Sequence, residues 1–134
     1  MFISFYFYLF LIAVLSVVVS LGGSRWIERL YRQNGDILTF PQTVKERGRF
    51  RPYLTGVAFF ACGVRFLFMT SGVPLFFLLF ATAMLLLMSA TDFEQYCLFD
   101  EMMIPLALGG MVLCAWYRPF FWDHALAAAA GGVI

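Results

Sequence analysis

Apolar and polar positions alternate in long blocks along this chain rather than at the spacing of a soluble amphipathic fold. From Phe2 to Leu21 there is no charged residue and the run is dense in Leu, Val, Ile and Phe, the length and character of a helix that crosses a bilayer. Further apolar runs cover residues 53–70, 74–90 and 102–117, and a last one, 119–134, stops short. Ser71-Gly72 and Pro74 leave so short a connection between the second and third runs that they form an antiparallel helical hairpin. The pattern predicts an all-α, polytopic transmembrane helix bundle in one membrane domain, with four complete spans and a truncated fifth.

The blocks between the runs differ in charge. Residues 22–52 form a basic loop that holds Arg25, Arg29, Arg32, Lys45, Arg47, Arg49 and Arg51, whereas only Arg65 and Arg118 lie elsewhere. Such a cluster also suits nucleic acid, but between two apolar spans it reads as a cytoplasmic loop under the positive-inside bias, and no nucleic-acid partner is expected. Within it, Arg25–Gln33 sets Trp26, Ile27, Leu30 and Tyr31 against three arginines, which predicts a short amphipathic helix at headgroup level. Asn34-Gly35-Asp36 breaks that helix, Pro41 marks a further turn, and Lys45 to Pro52, basic and without apolar periodicity, reads with them as loop. Residues 91–101 form an acidic loop with Asp92, Glu94, Asp100 and Glu101. With the basic loop inside, the amino terminus falls outside, the acidic loop falls inside, and Asp123 and His124 fall on the outer face. The first run is not a signal peptide by this pattern, because no basic residue precedes it.

Composition agrees. Of 134 residues, 63% are hydrophobic and 13% charged, with a mean hydropathy of +0.87, against about half apolar and a quarter charged in soluble domains. A soluble globular domain and a disordered chain are both excluded. Cys62, Cys97 and Cys114 lack any CxxC spacing, so neither a metal site nor a disulfide framework is expected, and no cofactor is implied. The last ten residues would rise only about 15 Å as a helix and leave the Ile134 carboxylate in lipid. That predicts either a chain that continues or a short interfacial helix from Pro119. Arg65, near the outer end of its span, is expected to snorkel outward, and His124 to be an interfacial polar residue.

An acid at a helix end in the membrane interface is a candidate functional group. Asp92 holds that position, while Glu94, Asp100 and Glu101 also fit a solvated loop, the last two at a helix start where the macrodipole favours carboxylates. The order from Asp92 to Leu106, DFEQYCLFDEMMIPL, resembles the first aspartate motif of the type IV prepilin peptidases, the GxGD-type membrane aspartic proteases. In that family an aspartate ends a membrane helix, a second follows eight residues later after an apolar pair, and a proline comes five residues further on. Asp92, Asp100 and Pro105 reproduce those spacings, and Phe99 replaces the usual proline. Leu21-Gly22-Gly23-Ser24 through Arg32, and Arg49 to Phe60, resemble other parts of the same family.

The resemblance implies an aspartic endopeptidase of the bacterial cytoplasmic (inner) membrane that removes basic leaders from pilin or pseudopilin precursors. It assigns Asp92 as one catalytic acid, with Asp100, Glu94 and Glu101 as supporting or substrate-binding groups. No CxxC pair is present, so the amino-methyl transfer of bifunctional members is not expected. No G-x-G-D is present either, and the chemistry needs two carboxylates that share a proton. A longer chain would supply the second acid, as would a homodimer that sets two Asp92 side chains across a two-fold axis. The rival expectation is a noncatalytic membrane scaffold, or a degenerate relative that keeps the fold without the dyad.

Overall fold

A computed structural model describes residues 2–116 and 122–123. Among them every regular element is helical: α1 (Phe2–Gln33), α2 (Val44–Arg47), α3 (Arg51–Leu67), α4 (Val73–Gln95) and α5 (Asp100–Trp116), with single 3₁₀ turns at Gly35–Ile37, Pro41–Thr43 and Gly48–Phe50. The expected all-α class is observed. α1 and α4 are long and apolar enough to cross a bilayer. α3 has 17 residues, at the short end of what a crossing takes, and α5 is described from Asp100 as far as Trp116. α1 and α4 meet the length and hydropathy of a full crossing among the described residues. The partial fifth span, with Arg118 and His124, lies outside them, apart from the exposed Trp122 and Asp123.

The boundaries move in a consistent direction. α1 does not stop at Leu21 but continues unbroken to Gln33, so the separate interfacial helix expected at Arg25–Gln33 is the end of α1. Its apolar side is not in lipid: Ile27, Leu30 and Tyr31 are buried against Leu87, Phe99 and Met102. α4 runs five residues past the expected Ala90, which takes Asp92 and Glu94 out of a loop and into its last turn. Asp100 and Glu101 form the first turn of α5, and the connection shrinks to Tyr96–Phe99.

The packing follows from stripes of four-residue spacing. α3 buries Arg51, Thr55, Phe59 and Gly63, and α4 buries Leu75, Leu79, Ala83, Leu87, Thr91, Glu94 and Gln95. Side chains four apart stack on one helix face. The helices are antiparallel neighbours, so both stripes are apolar at one end and polar at the other. Small residues bring α1 against α3. Ser16 Oγ donates to the Gly56 carbonyl at 2.7 Å, and Ser20 Oγ donates to the Pro52 carbonyl. Gly63 faces Ile12 and Leu79 with no room for a side chain. Gly72 opens α4 at φ 69°, where a residue with a Cβ is strained, and Pro74 sits in the first turn.

Outside these stripes the surface is apolar. Tyr6, Phe7 and Phe10 on α1, Tyr53, Leu54 and Val57 on α3, and Met111, Val112 and Trp116 on α5 are all exposed. Soluble monomers leave far less apolar surface open. Together with the two long apolar helices, this points to association with a membrane.

The close approach at Gly63 sets the expected effect of substitutions in detergent-solubilised protein. Gly63→Leu should lower stability by about 1–3 kcal/mol through overpacking. Gly22, with open space around it in α1, should accept alanine with a gain of up to about 1 kcal/mol from helix propensity. Thermal unfolding midpoints of the two variants would reveal whether the shifts have opposite sign.

Candidate functional site

The polar ends of the stripes meet at one end of the bundle. Arg51, the first residue of α3, and Glu94, in the last turn of α4, are each 3% exposed. The guanidinium grips the carboxylate with both arms: Nε donates to Oε1 at 2.7 Å and Nη2 to Oε2 at 2.5 Å. Its remaining arm, Nη1, donates to the Ser24 carbonyl of α1 at 3.1 Å. Tyr31 Oη, also from α1, donates to Glu94 Oε2 at 3.1 Å, and the Arg51 guanidinium lies 5.4 Å from the centre of the Tyr31 ring. A fork-to-fork pair of this kind satisfies both charges out of water. Gly48 is required here, because a Cβ at that position would collide with Arg51 Nη2.

The basic loop is fastened to the same place. Phe40 N–H donates to Gln95 Oε1 at 2.8 Å and Gln95 Nε2 donates to the Phe40 carbonyl at 3.3 Å, so one side-chain amide satisfies both backbone groups. Arg47 Nη1 donates to the Glu94 carbonyl at 3.1 Å, and its guanidinium lies 3.7 Å above the Phe40 ring. The segment expected as unstructured loop is a chain of short helical turns clamped to α4.

Among the four acids singled out from sequence, two residues decide the geometry. Glu94 is not a solvated loop carboxylate but half of a buried ion pair, and so is not free to meet a substrate. Asp92, two positions earlier and about 200° round the helix, is exposed and makes no ion pair or side-chain hydrogen bond among the described residues. Its carbonyl accepts the Tyr96 N–H at 2.8 Å, and Tyr96 closes α4 in the left-handed conformation, φ 53°. A tyrosine holds that conformation at some cost, offset here by edge-to-face contact of its ring with Phe40 at 5.7 Å. Phe93, 80% exposed, flanks the acid.

Asp100 and Glu101 line an open groove of about 420 Å³, together with Asn34, Ile37, Leu98, Phe99 and Ile104. Asp92 is not among its lining residues. Phe99 is buried against Tyr31, ring centres 5.8 Å apart, and anchors the turn between α4 and α5. Asp36 and Asp123 are both exposed. No three His, Cys, Asp or Glu residues converge on a possible metal site among the described residues.

Reading by residue type alone missed Arg51, Tyr31, Arg47 and Gln95. The signal that finds two of them is the four-residue register: Phe59, Thr55 and Arg51 descend one face of α3, and Leu87, Thr91 and Gln95 continue the face of α4 to which Glu94 belongs.

Removing one partner of the buried pair leaves an uncompensated charge, so Arg51→Ala or Glu94→Ala should each cost about 3–5 kcal/mol. The paired replacement Arg51→Met with Glu94→Leu should cost less than either alone, a non-additivity that a double-mutant cycle of unfolding midpoints measures. Cys97 reports on the free acid. Burial pushes its thiol up from the ordinary range, and the Asp92 carboxylate, which disfavours a nearby thiolate, pushes it further. With Cys62 and Cys114 changed to Ala, Asp92→Asn should lower the Cys97 pKa and speed its alkylation near pH 8. The two rates should converge at a pH where both thiols are ionised, and equal rates throughout would show that the groups do not interact.

Comparison with known proteins adds no assignment, since no protein-family model, curated protein or solved structure matches this chain.

Proposed function

We propose that this protein is a membrane aspartic endopeptidase similar to the type IV prepilin peptidases, with Asp92 as one of its two catalytic acids. Its substrates are pilin or pseudopilin precursors, cut at the cytoplasmic face of the bacterial inner membrane, in a multi-pass bundle with its amino terminus outside. One observation carries the reading: Asp92 is exposed and unpaired on the last turn of an apolar helix whose end is otherwise clamped by a buried ion pair. A general base requires a carboxylate that is both free and held on rigid structure. The motif spacing supports it too, because Asp92 lies in the last turn of one helix, Asp100 opens the next, and Pro105 lies inside that helix.

The chemistry is that of a carboxylate pair. The ionised member takes a proton from water as its oxygen attacks the scissile carbonyl carbon. The protonated member hydrogen-bonds to the carbonyl oxygen, and the amine leaves with a proton as the intermediate collapses. The second acid is one that a G-x-G-D element or a second copy of the chain brings to Asp92. Asp100 and Glu101, which line the groove, suit the basic leader of a precursor. Glu94 has no such role, since Arg51 already satisfies it.

A second reading, a noncatalytic membrane scaffold, draws on a separate observation. No other carboxylate pairs with Asp92 among the described residues, and the best-built polar feature is the structural Arg51–Glu94 clamp. Processing of a prepilin in membranes that contain the natural gene product separates the two. Asp92→Asn should reduce cleavage by at least roughly 10²–10⁴-fold, whereas Asp123→Asn should leave it intact. Unchanged processing with Asp92→Asn would remove Asp92 from the mechanism, and absence of processing by the unaltered protein would favour the scaffold.

A further inference from the structure

One exposed face of α1 changes character along its length. Phe7, Phe10, Val14, Val18 and Leu21 are exposed, followed on the same face by Arg25, Arg29 and Arg32, also exposed. Each step is three or four residues, so these eight side chains form one continuous ridge. The opposite side of the same helix end is taken up by protein, where Ile27, Leu30 and Tyr31 pack in the core. The arginines thus face away from the bundle, and none of the three makes an ion pair among the described residues. Arg32 Nε turns back to the Glu28 carbonyl at 3.4 Å, and the Glu28 side chain, one turn from Arg25 and Arg32, is exposed.

The distances match a bilayer. Phe7 and Arg25 are about 27 Å apart along the helix, close to the roughly 30 Å of hydrocarbon that a bilayer offers. Arg25 to Arg32 covers a further 10 Å or so, the depth of the headgroup layer and the water at its edge. A guanidinium grips a phosphodiester with two parallel hydrogen bonds, and its long stem allows the charge to reach the phosphate plane while the helix stays upright. We infer that the Arg25–Arg29–Arg32 ridge is a docking surface for anionic phospholipid headgroups and selects them over zwitterionic ones at this end of the bundle. The inference rests on the membrane reading and is independent of the peptidase reading.

Trp26, next to Arg25, gives a local probe. In full-length protein carrying Trp116→Phe and Trp122→Phe, reconstituted in phosphatidylcholine vesicles, Trp26 should be quenched more strongly by a minor fraction of brominated phosphatidylglycerol than by the same fraction of brominated phosphatidylcholine. Each arginine should contribute roughly fivefold to the apparent preference, and high salt should weaken it. The triple variant Arg25→Gln, Arg29→Gln, Arg32→Gln should quench equally with both lipids. Should that variant fail to fold, Arg29→Gln alone should show a partial fall. Equal quenching of the unaltered ridge by both lipids, or a preference that survives all three substitutions, overturns the inference. Resistance to carbonate extraction distinguishes the failures: an inserted protein without lipid preference sinks this inference alone, and a protein that does not insert sinks the membrane reading with it.

Discussion

A bidentate ion pair between Arg51 and Glu94, taken out of water where three helices meet, is the constraint on which the rest of this structure depends. Apolar helices surrounded by lipid gain little from burying leucines against one another, because the tails are as apolar as the side chains, so close packing and polar contacts must set their register. Here the packing is supplied along the shaft by serines and glycines between α1 and α3, and the charged contact by the Arg51–Glu94 pair at one end. The pair is costly if half-made and satisfied only in one arrangement. Arg51 must reach the Ser24 carbonyl as well as Glu94, and Glu94 must also accept from Tyr31. That arrangement sets how far α4 slides along α3 and which way α1 is turned.

The same constraint explains why neighbouring acids have different fates. Successive α4 positions turn about 100°, so the face that carries Leu87, Thr91, Glu94 and Gln95 into the core directs Asp92 and Phe93 outward. Once Glu94 is paired and Gln95 holds both backbone groups of Phe40, the last turn of α4 cannot fray or rotate without breaking them. Asp92 is then a free carboxylate on a fixed turn. Its exposure and its rigidity have one cause.

Much of this was legible in the sequence, and the limits were physical. Hydrophobic run length placed the long helices α1, α3, α4 and α5 in order, and the Ser71–Pro74 break placed the turn between α3 and α4, because both depend on local composition. Helix ends lie beyond the charged residues that bound the apolar runs: α1 continues through Arg32 and α4 through Glu94. Arg25, Arg29 and Arg32 do not end α1, since a helix leaving an apolar layer needs only one covered face, and Ile27, Leu30 and Tyr31 provide it. Glu94 reads as a solvated acid from sequence because residue type alone does not reveal a partner 43 positions away. The partner was nevertheless encoded: the four-residue stripes of α3 and α4, extended into their polar ends, lead to Arg51 and to Glu94 and Gln95 at the same level. The clamp between Gln95 and Phe40 carries no such signal, because it uses backbone groups of a segment without periodicity.

The turn after α4 shows how these levels join. A helix that must stop within four residues of Asp92 would ordinarily use glycine in the left-handed position, yet Tyr96 holds it. Glycine would close the helix at less conformational cost but would present nothing to the basic loop. The tyrosine ring meets Phe40, which is in turn covered by Arg47 and bound by Gln95. Phe99, three residues on, seals the other side of the turn against Tyr31. The connection that carries Asp92 at one end and Asp100 at the other is thus gripped by aromatic contacts from both α1 and the loop. A strained residue kept in place by its surroundings belongs where geometry matters more than stability, and here it fixes the short segment between the two acids.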